Sequence, residues 1–241
     1  MSTPLEIKGF NKYSLIEYPG KISAVIFLPR CNFRCPFCQN PDLILNYKNL
    51  PSISGQEVIN YLSLNKKWID ALSISGGEPT LYEDLSSFIK EVKERGFLIQ
   101  LETNGTNPQM LKELLEKNLI DYVALDIKAP LNWEKYKKVS GISIKEKILF
   151  EKVKESIKIL LNGEVNYEFR TTLVPVLLSQ EDIINLAGQI KGAKKYVLQQ
   201  FVSQKTLNKD YEKIAPYPKE KLEIIKERIK KYFQTCEIRG V

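Results

Sequence analysis

Strand-length apolar segments alternate with segments of helical period from residue 22 to residue 201, and few folds satisfy that alternation. Strand-like runs lie at Ile22–Leu28, Ala71–Ser75, Phe97–Glu102, Tyr122–Ile127, Tyr167–Val174 and Tyr196–Phe201. Between them, the 3.6-residue period predicts helices over Gly55–Leu64, Leu85–Arg95, Pro108–Lys117, Lys145–Leu161 and Gln180–Ile190. Repeated strand–helix–strand units form a parallel sheet covered by helices, and six such strands are too few for a closed eight-stranded barrel. An extended segment, Ile7–Leu15, joins the first strand through a turn at Pro19-Gly20, and a last helix is expected over Lys219–Phe233. No repeat or compositional break divides the chain. One domain over residues 1–241 is therefore expected, with an N-terminal hairpin at about 5–28 and a C-terminal helix at about 219–233.

The first strand, ISAVIFL, runs directly into Cys31-Asn32-Phe33-Arg34-Cys35-Pro36-Phe37-Cys38, three thiols spaced by three residues and then two. On a helix these positions would form one buried stripe, but Pro36, flanked by Pro29 and Pro41, opposes a regular helix. A closed zinc site needs four ligands, whereas the chain has no histidine and its one other cysteine is Cys236. Three thiolates suit a cubane iron–sulfur cluster with one iron left open to a small molecule. The spacing therefore points to a catalytic cluster.

The longer string Arg30 to Ile44, RCNFRCPFCQNPDLI, resembles the radical S-adenosylmethionine enzymes. It is most similar to the activating proteins of anaerobic ribonucleoside-triphosphate reductase, with the pyruvate formate-lyase activators as near relatives. Those sequences commonly carry a histidine where this chain has Gln39. The resemblance implies an α/β fold, a partial (β/α)6 barrel, with active-site groups at the C-terminal strand ends. It also implies Cys31, Cys35 and Cys38 as ligands of a [4Fe-4S] cluster. When that cluster is reduced, S-adenosylmethionine is cleaved to methionine and a 5′-deoxyadenosyl radical, which takes an α-hydrogen from a glycine of a partner glycyl radical enzyme.

The strand ends carry the remaining motifs. Ser75-Gly76-Gly77-Glu78-Pro79 alone reads as a tight strand-to-helix turn. Beside the cysteines it resembles the family's GGEP segment, which implies that Gly76, Gly77 and Glu78 line the cofactor's amino group. Glu102, after LIQL, is costly to bury without a donor or cation. The resemblance places Glu102 and Thr103 near the same amino group and allows a monovalent cation there. Asp126 and Lys128 share a strand face, which permits either an internal ion pair or a ligand site. By resemblance they meet the cofactor's ribose and carboxylate, Arg170 reaches the carboxylate, and Phe37 packs beside the adenine. Gln199 and Gln200 end the last strand without an assigned role.

With four cysteines, the chain has too few for an additional cysteine-bound cluster, so electrons are expected from a separate flavodoxin- or ferredoxin-type donor. The net charge of +7 is mostly lysine interleaved with glutamate, the pattern of solvated helix faces, and no nucleic-acid motif accompanies it. The start, MSTPLEIKGF, lacks a signal-peptide run, and no apolar stretch is long enough to span a bilayer. A cytoplasmic protein with neither membrane nor nucleic-acid partner is expected. Two other readings stay open at this point: a radical enzyme acting on a small molecule, of the 7-carboxy-7-deazaguanine synthase type, and a non-enzymatic metal- or nucleic-acid-binding protein.

Overall fold

The computed structural model describes residues 5–241. Its strands β1 (Gly9–Ser14), β2 (Ser23–Leu28), β3 (Ala71–Gly76), β4 (Leu98–Thr103), β5 (Tyr122–Asp126), β6 (Asn166–Leu173), β7 (Lys195–Gln200) and β8 (Thr235–Arg239) form one sheet in chain order. The sheet is mostly parallel, while the β1–β2 hairpin is antiparallel, paired from Gly9 with Phe27 to Ser14 with Ser23. Gly20, at φ +70°, supplies the left-handed residue in the connection between β1 and β2. The helices are α1 (Pro41–Leu45), α2 (Gly55–Leu64), α3 (Leu85–Glu94), α4 (Pro108–Glu116), α5 (Trp133–Ser140), α6 (Lys147–Leu161), α7 (Gln180–Gln189) and α8 (Lys219–Ile229). None is long and apolar enough to cross a membrane.

The chain groups into two compact units. Of the described residues, the first comprises 5–31, 42–103 and 109–124. In it β2, β3 and β4 pair in parallel, Ser23 with Ala71 and Ala71 with Leu98. Residues in register point to one side, so Ala24, Ile26, Leu72, Ile74, Ile99 and Leu101 form a single apolar face, each nearly inaccessible to solvent. Helix α3 buries Leu85, Phe88, Ile89 and Val92, the i, i+3, i+4, i+7 stripe that its sequence predicts. Helix α2 starts where the Ser54 side chain accepts the Glu57 N–H.

The second unit comprises residues 32–41, 104–108 and 125–241. Here β6, β7 and β8 pair in parallel, Phe169 with Tyr196 and Tyr196 with Cys236. Glu168, Arg170, Thr172, Lys195, Val197, Gln199, Glu237 and Arg239 therefore share one face. Cys236 is on the other, beside Tyr196 and Leu198. A Ser179–Asp182 capping box starts α7.

Three elements lie outside the sequence expectation. Helix α5 buries only Tyr136, Val139 and Ser140, too sparse an apolar pattern to register. Its signals are at its ends, an Asn132 side chain that accepts the Lys135 N–H and Gly141 at φ +68°. The short α1 follows Pro41 directly. At the C-terminus, the helix expected to reach Phe233 stops at Ile229, a 3₁₀ turn follows over Lys230–Tyr232, and five residues then join β7 as β8.

Candidate active site

In the first unit, the end of β3 is built against the chain that leads into the cysteine loop. Arg30 adopts φ +61°, a left-handed conformation that costs a non-glycine residue roughly 1–2 kcal/mol. It is held there on several sides: its N–H donates to Leu43 O (2.8 Å) and its guanidinium to Glu6 (2.9 Å). The Gly77 N–H donates to Leu28 O at 2.7 Å, and the Glu78 N–H to Arg30 O at 2.8 Å. A Cβ on Gly77 would sit 1.8 Å from Arg30 O, and one on Gly76, already at φ +120°, 2.3 Å from Leu28 O. The two glycines thus admit the close passage of backbone beside Arg30.

Glu78 is fully buried. Its Oε1 accepts from Thr80 N (3.1 Å), Thr80 Oγ1 (2.5 Å) and Thr103 Oγ1 (2.7 Å), so it caps the turn at Pro79–Leu81 and ties it to β4. Glu102, one residue before Thr103, points to the opposite side of the strand. There it accepts from Ser75 Oγ at 2.7 Å and Gln100 Nε2 at 3.2 Å. The first unit therefore separates Glu102 from Thr103 by strand parity.

In the second unit, Cys35 is buried and its thiol faces the Ser140 carbonyl at 3.6 Å. The Cys38 N–H donates to Cys35 O at 3.0 Å, making a tight turn between the two thiols. Burial pushes the Cys38 thiol up from its ordinary value, while the Lys128 ammonium acts in the opposite sense. The loop is tied down at several points. Arg34 N donates to Ser140 O (2.9 Å), Leu207 N to Cys38 O (2.9 Å), and Asn208 N to Pro36 O (2.9 Å). Gln39, at the position where relatives carry histidine, donates to Val202 O at 3.1 Å. Phe37 is buried.

A polar network that the sequence reading passed over also holds this loop. Asn32 donates to Thr106 Oγ1 and accepts from Asn104 Nδ2, both at 2.8 Å, and Asn104 Oδ1 receives the Thr106 N–H and O–H at 3.0 and 2.7 Å. Asn-Gly by itself is a generic turn signal; the residue that distinguishes this one is Thr106, placed to close an Asx turn on Asn104.

Asp126 lies between two cations. Lys128 Nζ approaches Oδ2 at 2.8 Å, and Arg170 Nε approaches Oδ1 at 2.9 Å. Burial alone would raise this carboxyl, but Arg170 and Lys128 outweigh it and hold the group at about 2. Burial would lower Lys128, yet Asp126 and the nearby Cys35 raise it instead. Gln199 shares the sheet face of Arg170, whereas Gln200 points the other way and donates to Tyr217 O at 2.6 Å.

The sheet and a three-thiol loop after its first parallel strand define a class that comparison with known proteins makes definite. The Radical SAM superfamily pattern matches residues 25–187. A Methanocaldococcus jannaschii protein provisionally named a glycyl-radical enzyme activating enzyme is 37% identical over 98% of this chain and 96% of its own length. The pyruvate formate-lyase-activating enzyme of Clostridium pasteurianum is 30% identical over 86% of each. Among solved structures, Streptococcus suis SuiB bound to S-adenosylmethionine superposes with a TM-score of 0.65 at 17% identity. That match covers 90% of this chain but about half of SuiB, 52%, and shows the fold. The chain belongs to the Radical SAM superfamily, and within it is a glycyl-radical enzyme activating enzyme.

Membership implies a four-iron cluster and S-adenosylmethionine as the working cofactors. The residues present fit by donor chemistry: none of the four cysteines is in a disulfide, and Cys35 and Cys38 are brought together by one turn with a cation nearby. Among the described residues no three Cys, Asp or Glu side chains are gathered as a metal cage.

Proposed function

We propose that Cys31, Cys35 and Cys38 hold the cluster and that the protein substrate is a glycine of anaerobic ribonucleoside-triphosphate reductase. When bound, the cluster supplies the electron that splits S-adenosylmethionine into methionine and the radical that removes the glycine α-hydrogen. The observation that carries the reading is the C-x3-C-x2-C loop itself, with two of its thiols paired in one turn and no histidine anywhere in the chain.

The chain's own residues bind and orient. The Asp126 carboxylate, kept ionised by Arg170 and Lys128, suits ribose hydroxyls, and the two cationic heads suit the cofactor's carboxylate. Gly76, Gly77 and Glu78 set the backbone beside the amino group, the Glu102 carboxylate faces it, Thr103 on the other side of β4 acts through its hydrogen bond to Glu78, and Phe37 packs beside the adenine. A monovalent cation beside Glu102 belongs to the same reading and is tested by the potassium and sodium dependence of cofactor affinity. The setting is the reducing cytoplasm, with a flavodoxin- or ferredoxin-type donor and neither nucleic acid nor membrane as partner.

Anaerobic reconstitution with iron and sulfide should give one four-iron cluster that survives Cys236→Ala and is lost in Cys35→Ala. Stoichiometric zinc without labile sulfide would sink the cluster assignment. With reductant, cofactor and the reductase, a protein-borne doublet radical should form whose splitting collapses when the target glycine is α-deuterated. Conversion of a pterin to a deazaguanine, with no radical on any protein partner, would place the enzyme on a small-molecule substrate instead.

A further inference from the structure

We infer that the surface formed by the C-terminus of α5 and the start of α6 is the docking site of the electron donor, an acidic one-electron carrier protein. The inference rests on the cluster assignment above and goes beyond it by naming the face through which the electron arrives.

Three observations meet there. The first is nearness to a thiol: Cys35 Sγ lies 3.6 Å from the Ser140 carbonyl, and the next residue, Gly141, is exposed. Gly141 cannot carry a side chain, since a Cβ would sit 2.2 Å from Arg34 O, so bare backbone covers this part of the cysteine loop. The second is charge. Between residues 134 and 154 the chain has seven lysines against three glutamates. Glu134 and Glu151 are paired within the patch to Lys137 and Lys154, and Glu146 is spent on the Ser143 cap. Lys138, Lys145, Lys147 and Lys152 have no carboxylate partner among the described residues, and Arg34 is exposed in the cysteine loop beside them. The third is unburied apolar surface: Ile144 is 65% exposed and Ile148 60%. Two large exposed aliphatic side chains on a stretch whose lysines lack carboxylate partners suit an interface with an apolar centre and a steering rim.

Opposite charge selects the occupant, and the short path through Ser140 to Cys35 selects an electron carrier among acidic proteins. The carrier gives up one electron, the cluster takes it, and no bond forms or breaks. Lysines on this rim speed encounter with an acidic partner by long-range attraction, an effect that salt removes.

The test is stopped-flow reduction of the reconstituted protein, followed at the cluster's visible absorbance. The reductants are an acidic flavodoxin in its hydroquinone state and, separately, dithionite. Lys145→Glu with Lys147→Glu, and separately Ile148→Asp, change exposed side chains only. At low salt both variants should slow reduction by flavodoxin at least tenfold, the lysine effect should shrink as salt is added, and reduction by dithionite should match the parent rate. Flavodoxin rates equal to the parent's would overturn the inference, as would equal slowing with both reductants. Normal flavodoxin rates with impaired radical transfer to the protein substrate under dithionite would assign the patch to the substrate instead. A parent protein that takes up no iron would fail the cluster assignment itself, a result distinct from all of these.

Discussion

The ends of β3 and β5 carry motifs of similar length and opposite character. After β3, every polar group of Gly77 and Glu78 traced above is satisfied internally: both N–H groups hold the Leu28–Arg30 backbone, and the carboxylate is sealed under Thr80 and Thr103. After β5, Asp126 keeps 31% of its side chain exposed between two cations. The first end uses backbone packing to fix the course of the chain into the cysteine loop. The second keeps paired charge at a partly exposed position. Motifs that sequence similarity groups together as one cofactor site thus differ in kind: one is closed by the protein's own groups, and the other, proposed above as the binding end, keeps its charges partly open to solvent.

Gly77→Ala tests the shaping end and has the largest expected effect. The added methyl meets backbone, which cannot rotate away, and a loss of about 3 kcal/mol is expected, the upper range of overpacking. It should appear as a lower urea midpoint at unchanged slope and a reduced cluster yield. A parental midpoint would mean that the Arg30 segment is free to shift, and the contrast between the two ends would fail.

Asp126→Ala and Lys128→Ala test the binding end. Each removes charge-assisted contacts worth on the order of 1.5–3 kcal/mol, so cofactor affinity should fall roughly 10- to 100-fold while iron content stays parental. The measurement is a cofactor titration of the reduced protein followed by the cluster's spin-resonance signal. Unchanged affinity in both variants would make the triad structural, like the end of β3.

Asn104→Ala is expected to act more weakly. It leaves the Asn32 carbonyl and the Thr106 groups without their partner, which costs about 1–2 kcal/mol when such groups are buried. Thermal unfolding should show the loss. Asn104→Asp, which keeps the acceptor for Thr106 and removes the donor to Asn32, should recover part of it.

The contrast between the two ends was only half legible in the sequence. Strands β2 to β7 and their helices follow from periodicity because each buries a continuous apolar stripe, as in α3 and α6. The cysteine loop was legible because thiol count and proline placement leave few alternatives. Helix α5 and strand β8 were not, since α5 is defined by its caps and β8 by pairing with β7 at a half-exposed edge. The partners of Arg30, Gly77 and Asn32 lie 13 to 74 residues away along the chain, and no local pattern announces them. Conversely, the ion pair kept open as the structural reading of Asp126 and Lys128 is present and is joined by Arg170, and the cofactor titration above decides the ligand reading of the same motif.

That arrangement sets the last and smallest effect, one invisible near neutral pH. With its carboxyl held at about 2 in the folded protein and near 3.9 in the unfolded chain, Asp126 is ionised in both states at pH 7. Its contribution to stability is complete above the unfolded value and is lost as pH falls through the folded one. Between pH 5 and pH 3, therefore, the folded protein should show little movement of the Asp126 carboxyl ¹³C resonance, whereas a carboxyl at the unfolded value would pass through its midpoint there. Arg170→Ala removes the larger of the two cationic influences, leaving Lys128 against the burial that favours the neutral acid, so the Asp126 resonance should begin to move inside that window. If it passes through a midpoint inside that window in the parent protein, the triad does not hold charge in place, and the second end loses the property that separates it from the end of β3.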